Sequence, residues 1–244
     1  METLKMEILK GIEIKNKALW LSRQKVLIIG DLHIGYEEAL IEEGVLVPKV
    51  TFSKIKKEIL ELLKLKPKIV VINGDLKHEF GEISRQEWFE TLEILDILLK
   101  KAKVVLIKGN HDTILEPIAK KKNLTVRNFY IVNDIAILHG HKILLDKEIY
   151  AKKIKTIIIA HEHPAVSIRE GVKQEIYKCF LKGKWHDKSL VVLPSFFSVY
   201  EGSDVKCEKL LSPFLEERAI KNFEVYVLDE KGKVYNFGKL KNIK

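Results

Sequence analysis

Five short runs of apolar residues limit how this chain can fold. They are 26–29, 69–72, 104–107, 135–138 and 156–159, rich in Val, Ile and Leu and without polar alternation. Runs of that length and character belong to strands covered on both faces. Between the first three lie segments with helical spacing. Ile55, Ile59, Leu62 and Leu63 mark a helix over about 51–65 that Pro67 stops, and Trp88, Leu92, Leu95 and Leu99 mark one over about 84–100. Strands alternating with helices predict βαβ units. A short helix near 114–121, a strand over 129–132 and a C-terminal hairpin (224–228 with 234–237, about Glu230-Lys231-Gly232-Lys233) extend the pattern. The stretch from about 6 to 22 reads as one or two edge strands. No repeat, linker or low-complexity segment divides the 244 residues, so 1–244 is expected to form a single domain.

The residues just past each run are more specific than the run itself. The first run ends in Asp31-Leu32-His33, the second in Asp75, the third in Asn110-His111-Asp112, and the last two in His139-Gly140-His141 and His161-Glu162-His163. Ligands of open α/β sheets bind beyond the carboxyl ends of the strands, so these side chains are predicted to converge. In an extended segment, residues i and i+2 point the same way. On that ground Asp31 with His33, and His161 with His163, are expected to aim in pairs. Carboxylates and imidazoles without thiolates suit Mn²⁺, Fe²⁺, Zn²⁺ or Ni²⁺ rather than Ca²⁺ or Mg²⁺. Two such ions about 3.5–4 Å apart need a bridging carboxylate, and Asp75, alone after Gly74, is the candidate. A single histidine is ordinarily a surface or satisfied core residue. Here seven of eight lie just past predicted strands or in the loops beyond them, and only His186, in a charged loop, is given no role.

Composition narrows the surroundings of this centre but not its chemistry. With 43 Lys+Arg against 34 Asp+Glu the net charge is +9, which favours anionic partners such as nucleic acid or phosphorylated metabolites. No concentrated basic block exists, so a lysine-rich solvated surface is the preferred account of the charge over a dedicated binding face. Lys, Glu and Ile enrichment with few Met and Cys is a pattern of hyperthermophile, often archaeal, proteins. Cys179 and Cys207 stand far apart and in no CxxC motif, which gives neither a zinc ribbon nor a disulfide framework. The N-terminus lacks a signal peptide and no segment approaches the roughly 18 apolar residues of a membrane span, so a cytoplasmic location without a membrane partner is expected. Ser195 has no GxSxG elbow, which argues against a serine nucleophile. Trp88 and Phe89 are expected in the core rather than as base-stacking platforms.

Asp31-Leu32-His33, Gly74-Asp75, Gly109-Asn110-His111-Asp112, His139-Gly140 and His161-Glu162-His163 together resemble the signature of the calcineurin-like metallophosphoesterase superfamily, over about 25–165. The motifs Asp31-Leu32-His33-Ile34-Gly35-Tyr36-Glu37, Gly74-Asp75-Leu76-Lys77-His78-Glu79 and Leu193-Pro194-Ser195-Phe196 resemble a narrower group, the archaeal ICC-like phosphoesterases related to bacterial DNA-ligase-associated ones. The resemblance implies a four-layer α/β/β/α sandwich, two mixed sheets flanked by helices. It also implies two divalent transition-metal ions, manganese first, with nickel, iron or zinc as alternatives. One ion would be held by Asp31, His33, Asp75 and His163, the other by Asp75, Asn110, His139 and His161. His111 would be the general acid, with Asp112 holding its other ring nitrogen.

The activity implied is hydrolysis of a phosphodiester of nucleotide or nucleic-acid type, by a hydroxide bridging the ions. The rival readings are a phosphomonoesterase on a small phosphorylated metabolite and a nucleic-acid-binding accessory protein with weak catalysis. A purely structural metal site is disfavoured because such sites are Cys-rich. Three alternatives stay open in the sequence. Ala160 stands where the family usually has Gly before the last His pair, and Ala tolerates positive φ only at a cost. Either His139 or His141 could be the ligand; the match places His139 there, which leaves His141 to contact the substrate, to support the ligands or to do neither. His78 could reach the phosphate or the groups around the ligands.

Overall fold

All five apolar runs form strands, and each sends alternate side chains into two different cores. Val26 and Ile28 enter one cluster while Leu27 and Ile29 enter another, and the same division repeats through 69–72, 104–107, 135–138 and 156–159. This is the period-two geometry of a strand with no solvent face. Burying each such aliphatic side chain contributes about 1.5–3 kcal/mol, which makes these runs the framework of the fold. The computed structural model describes residues 6–46, 50–79 and 83–243.

The first sheet has seven strands. An antiparallel meander of β1 (Met6–Leu9), β2 (Ile12–Lys15), β3 (Ala18–Leu21) and β4 (Val26–Ile29) joins a parallel set, β5 (Ile69–Asn73), β6 (Lys103–Ile107) and β7 (Val126–Arg127). Helices α1 (Tyr36–Glu42) and α2 (Thr51–Leu63) link β4 to β5, α3 (Arg85–Leu99) links β5 to β6, and α4 (Leu115–Lys121) links β6 to β7. The second sheet contains β8 (Phe129–Val132), β9 (Ile135–Leu138), β10 (Thr156–Ile159), β11 (Pro164–Glu170), β12 (Lys173–Trp185), β13 (Lys188–Val192), β14 (Ser203–Asp204), β15 (Glu224–Leu228) and β16 (Val234–Lys239). Here β9, β10 and β13 are parallel, while β8 and β12 run antiparallel to their neighbours. Short helices α5 (Lys147–Tyr150) and α6 (Glu217–Ile220) belong to this half.

Three cores define the layers. Ile55, Ile59, Leu95 and Ile118 from α2, α3 and α4 pack on Leu27, Val70 and Leu106 of the first sheet. Val71 and Val105 meet Ile137, Ile158 and Val191 between the sheets. Ile149 and Ile220 from α5 and α6 cover Leu138, Ile157 and Val192 on the far side. The expected sandwich of two mixed sheets flanked by helices is therefore what the chain forms. Among the described residues no helix is long and apolar enough to cross a membrane.

Some local expectations need correction. The first 22 residues supply three strands rather than one or two, because Gly11 and Asn16 take left-handed conformations that close two tight turns. On α3 the buried residues are Glu87, Thr91, Leu92, Ile94, Leu95 and Leu98, with Trp88 packed against the core; Leu99 lies at the edge, and Phe89, expected in the core, is 58% exposed. Two polar residues belong to the buried stripe, so counting apolar positions alone narrows it and adds Leu99 at its edge.

Candidate metal centre

Five of the parallel strands, β4, β5, β6, β9 and β10, hand polar side chains to the same rim, where the two sheets meet. From the first sheet come Asp31 and His33 after β4, Asp75 after β5, and Asn110 and His111 after β6; from the second come His139 after β9 and His161 and His163 after β10. Backbone hydrogen bonds lock the loops together: Asp31 N–H donates to the Gly74 carbonyl (3.2 Å), His33 N–H to that of Asp75 (3.0 Å), and Phe197 N–H to that of Asp31 (3.2 Å).

The backbone at the paired ligands is not extended. Asp31, His33, Asp75, His161 and His163 all have positive φ, between 44° and 66°. A non-glycine residue held there costs about 1 kcal/mol or more, a strain that gathers at functional sites. The expectation of extended i, i+2 pairs is thus corrected: left-handed residues flank one that turns inward. Leu32 points into the core, and Glu162 is buried with its carboxylate accepting the Leu211 (2.9 Å) and Ser212 (2.8 Å) N–H groups. Ala160 needs no unusual conformation, since the positive φ falls on His161. Its methyl fills the space that Gly30 leaves open, where a Cβ on residue 30 would come within 2.8 Å. Gly109 has a similar reason: a Cβ there would sit 2.0 Å from Asp75 Oδ1.

The donor atoms form two groups. Asp31, His33 and His163 gather on one side, and Asp75, His139 and His161 on the other. In the first, His33 Nε2 lies 3.3 Å from His163 Nε2, which is 3.5 Å from Asp31 Oδ1. In the second, His139 Nε2 lies 3.3 Å from Asp75 Oδ2 and 3.1 Å from Asn110 Oδ1. Asp75 Oδ2 is also 3.9 Å from His33 Nε2, so this carboxylate stands between the groups. Asp31 Oδ1 is buried and has no hydrogen-bond partner among the described residues. An orphaned carboxylate oxygen facing imidazole nitrogens is a donor set that a divalent cation satisfies, so the residues fit a metal centre. A third cluster, His33, His78 and His111, adjoins the first group.

The electrostatics show the same demand for positive charge. Burial pushes the Asp75 carboxyl up, but the His139 charge and hydrogen bond, with His33 and His111, hold it far below the usual carboxylate range. Burial pulls His139 down, yet Asp75, Asp31 and the Asn73 carbonyl raise it to about 9. A metal ion would have to displace that proton, because a ligand must bind deprotonated. Burial and His139 lower His161 and His141 to about 4. His139 rather than His141 belongs to the second group; the His141 ring lies 5.2 Å from that of His139, and its buried Nδ1 has no hydrogen-bond partner among the described residues.

The acid candidate is held differently from the arrangement the resemblance implies. His111 Nδ1 lies 2.5 Å from the His78 carbonyl, so this nitrogen carries a proton and donates it. The Asp112 carboxylate instead accepts the N–H groups of Gly109 (2.9 Å) and Leu76 (3.1 Å) and shapes the loop; burial, then Asp75, raises it to about 6. Tyr200, unforeseen in the sequence, has its hydroxyl 2.8 Å from His163 Nδ1. Its loop is pinned by the nearly buried Lys178, whose Nζ donates to Ser195 Oγ (2.8 Å) and the carbonyls of Tyr200 (2.9 Å) and Glu201 (3.0 Å). A lone Tyr past an apolar run carries no sequence signal for such a role. Groups that orient a metal-binding imidazole are worth about 10–100-fold in metal affinity. Tyr200→Phe should therefore weaken metal binding by about tenfold or more, read as the metal concentration at half-occupancy.

Residues 24–216 match the family model described as calcineurin-like phosphoesterase. No curated protein matches this chain. Among solved structures it is similar to the crystal structure of Pseudomonas putida nuclease MPE, with 19% identity over 93% of this chain and 94% of that one and a TM-score of 0.64. It is also similar to Yfce, a phosphoesterase from E. coli, with 12% identity over 84% and 88% of the two chains and a TM-score of 0.38. Because the family match spans most of the sequence and takes in every strand-end motif of the site, this chain belongs to the calcineurin-like phosphoesterase family.

Proposed function

We propose that this protein hydrolyses phosphodiesters, of the nucleotide or nucleic-acid type, with two divalent transition-metal ions, manganese foremost, and that its 244 residues act as one domain. The motifs at 31–37, 74–79 and 193–196 support grouping it with the ICC-like and ligase-associated phosphoesterases. The observation that carries the diester reading is the cleft beside the first donor group. It has a volume of about 250 Å³ and is lined by His33, Tyr36, His78, His111, His163, Phe197 and Tyr200. None of these described residues is Lys or Arg. A phosphate monoester carries up to two charges near neutral pH and a diester only one. A cleft whose positive charge comes from its ions alone suits the monoanion. The faces of Tyr36, Phe197 and Tyr200 offer apolar surface to the group on the second ester arm.

Asp31, His33, Asp75 and His163 would hold one ion, and Asp75, Asn110, His139 and His161 the other. Two such ions supply a water nucleophile ionised near neutral pH and neutralise charge on the phosphoryl oxygens. The chain's own part is positioning and proton delivery. With Nδ1 committed to the His78 carbonyl, His111 gives a proton from Nε2 to the departing ester oxygen and returns to a neutral ring.

The test is a chromogenic bis-aryl phosphate against the aryl monoester, with metal-free protein resupplied with Mn²⁺, Ni²⁺, Zn²⁺ or Mg²⁺. A kcat/KM at least about tenfold higher for the diester is expected. Faster monoester hydrolysis would favour the monoesterase. Activity on neither, with a steep salt slope for DNA or RNA binding, would favour an accessory nucleic-acid binder.

A further inference from the structure

His78 is half-buried in the cleft, its ring stacked on His111 (centroids 5.2 Å apart, 28° between planes) and 4.3 Å from the Tyr36 ring. Its backbone is clamped from two sides. His78 N–H donates to the Ile34 carbonyl (2.9 Å) and to Glu87 Oε1 (2.7 Å), and its own carbonyl receives His111 Nδ1–H. Its ring meets a metal-ligand candidate, since His78 Nδ1 lies 3.4 Å from His33 Nδ1. The other nitrogen of His33, Nε2, faces His163 and Asp75 in the donor group.

The protons along this row have one consistent arrangement once an ion is bound. An imidazole that gives its Nε2 lone pair to a metal keeps its hydrogen on Nδ1. His33 Nδ1–H then donates to His78 Nδ1, which must accept. A neutral imidazole that accepts on Nδ1 carries its hydrogen on Nε2. We infer that metal binding at His33 fixes His78 as a neutral Nε2–H donor, which contacts a non-bridging oxygen of the substrate phosphoryl group beside His111. The stacked rings would then share one layout, Nδ1 tied back into the protein and Nε2 committed to substrate. His78 would hold the phosphoryl group by a hydrogen bond without adding a charge, which is the contact a monoanionic diester uses. This inference rests on the metal-dependent reading proposed for the site.

The decisive measurement is long-range ¹H–¹⁵N correlation on histidine-labelled protein loaded with diamagnetic Zn²⁺. The expected spectrum shows His33 as the Nδ1–H tautomer and His78 as the Nε2–H tautomer; removing Zn²⁺ should abolish the single His78 tautomer. A companion measurement is the affinity of the Zn²⁺-loaded protein for inorganic phosphate. His78→Asn lacks a donor at the Nε2 position and should weaken phosphate by about tenfold to a hundredfold with metal content unchanged, while His78→Gln, with an N–H near that position, should recover part of it. Zn²⁺-loaded protein with His78 as the Nδ1–H tautomer, or unchanged phosphate affinity in His78→Asn, overturns the inference alone. A chain that takes up no Zn²⁺ overturns it together with the metal-dependent reading.

Discussion

Asp75→Asn will leave the protein with fewer than two bound ions and will reduce turnover by about a thousandfold or more, since charge stabilisation by the ions is worth several kcal/mol. Asp75 Oδ1 accepts the His111 N–H at 2.9 Å, while Oδ2 looks toward His139 and His33. An asparagine keeps its oxygen on the His111 N–H, because the reverse would set two donors face to face. Its NH₂ then occupies the position between the donor groups and presents hydrogens where a shared anionic oxygen is required. The side chain is nearly isosteric, so the fold should be retained. Metal content per chain, measured beside the circular dichroism spectrum, checks the result. Two ions and full turnover in this variant would remove Asp75 from the bridging position.

His111→Gln should give the complementary result, with both ions retained and kcat lowered by about 10²–10⁴-fold, the usual worth of a general acid. His111 belongs to neither of the two carboxylate-containing donor groups, and its Nδ1 is held by a backbone carbonyl. Its loss should thus be felt in proton delivery. The size of the effect should track the leaving group. A nitrophenolate departs without a proton, so the variant should lose little with a nitrophenyl diester and the full amount with an alkyl or ribose leaving oxygen. An equal loss with both substrates would mean that His111 acts on ground-state binding or metal affinity instead.

Much of the fold and of the donor set is legible in the sequence, for identifiable reasons. The five apolar runs announce strands because they are short, rich in β-branched residues and bounded by polar loops, as strands covered on both faces are, and the polar residues after them then lie at the carboxyl rim. The helix α2 is legible because Ile55, Ile59, Leu62 and Leu63 share one buried face, Leu60 alone of its leucines and isoleucines standing exposed. Where polar residues are buried, the pattern misleads. Glu87 and Thr91 on α3 partly conceal its inner face, and charged residues along β12 keep it from reading as a strand; β13, by contrast, ends in the apolar run 190–193, a signal of the same kind as the other five. The left-handed backbone of Asp31, His33 and His163 was not foreseen, because these residues adopt it through loop hydrogen bonds and packing that local preference does not encode. Tyr36, Phe197 and Tyr200 reach the cleft only through the path of the chain, so no spacing rule could find them.

The division of the donor groups between the sheets has a consequence for how the protein assembles. Asp31, His33, Asp75 and Asn110 come after strands of the first sheet, and His139, His161 and His163 after strands of the second, yet each of the two carboxylate-containing groups draws on both. Neither half of the chain can assemble either group alone. The centre comes into being only when the two sheets have docked in register across Val71, Val105, Ile137 and Ile158. Ions placed there would act as rivets along the seam of the sandwich, joining halves that the backbone connects only at residues 127–129. Metal uptake during refolding would then report the docking of the sheets rather than the formation of either one.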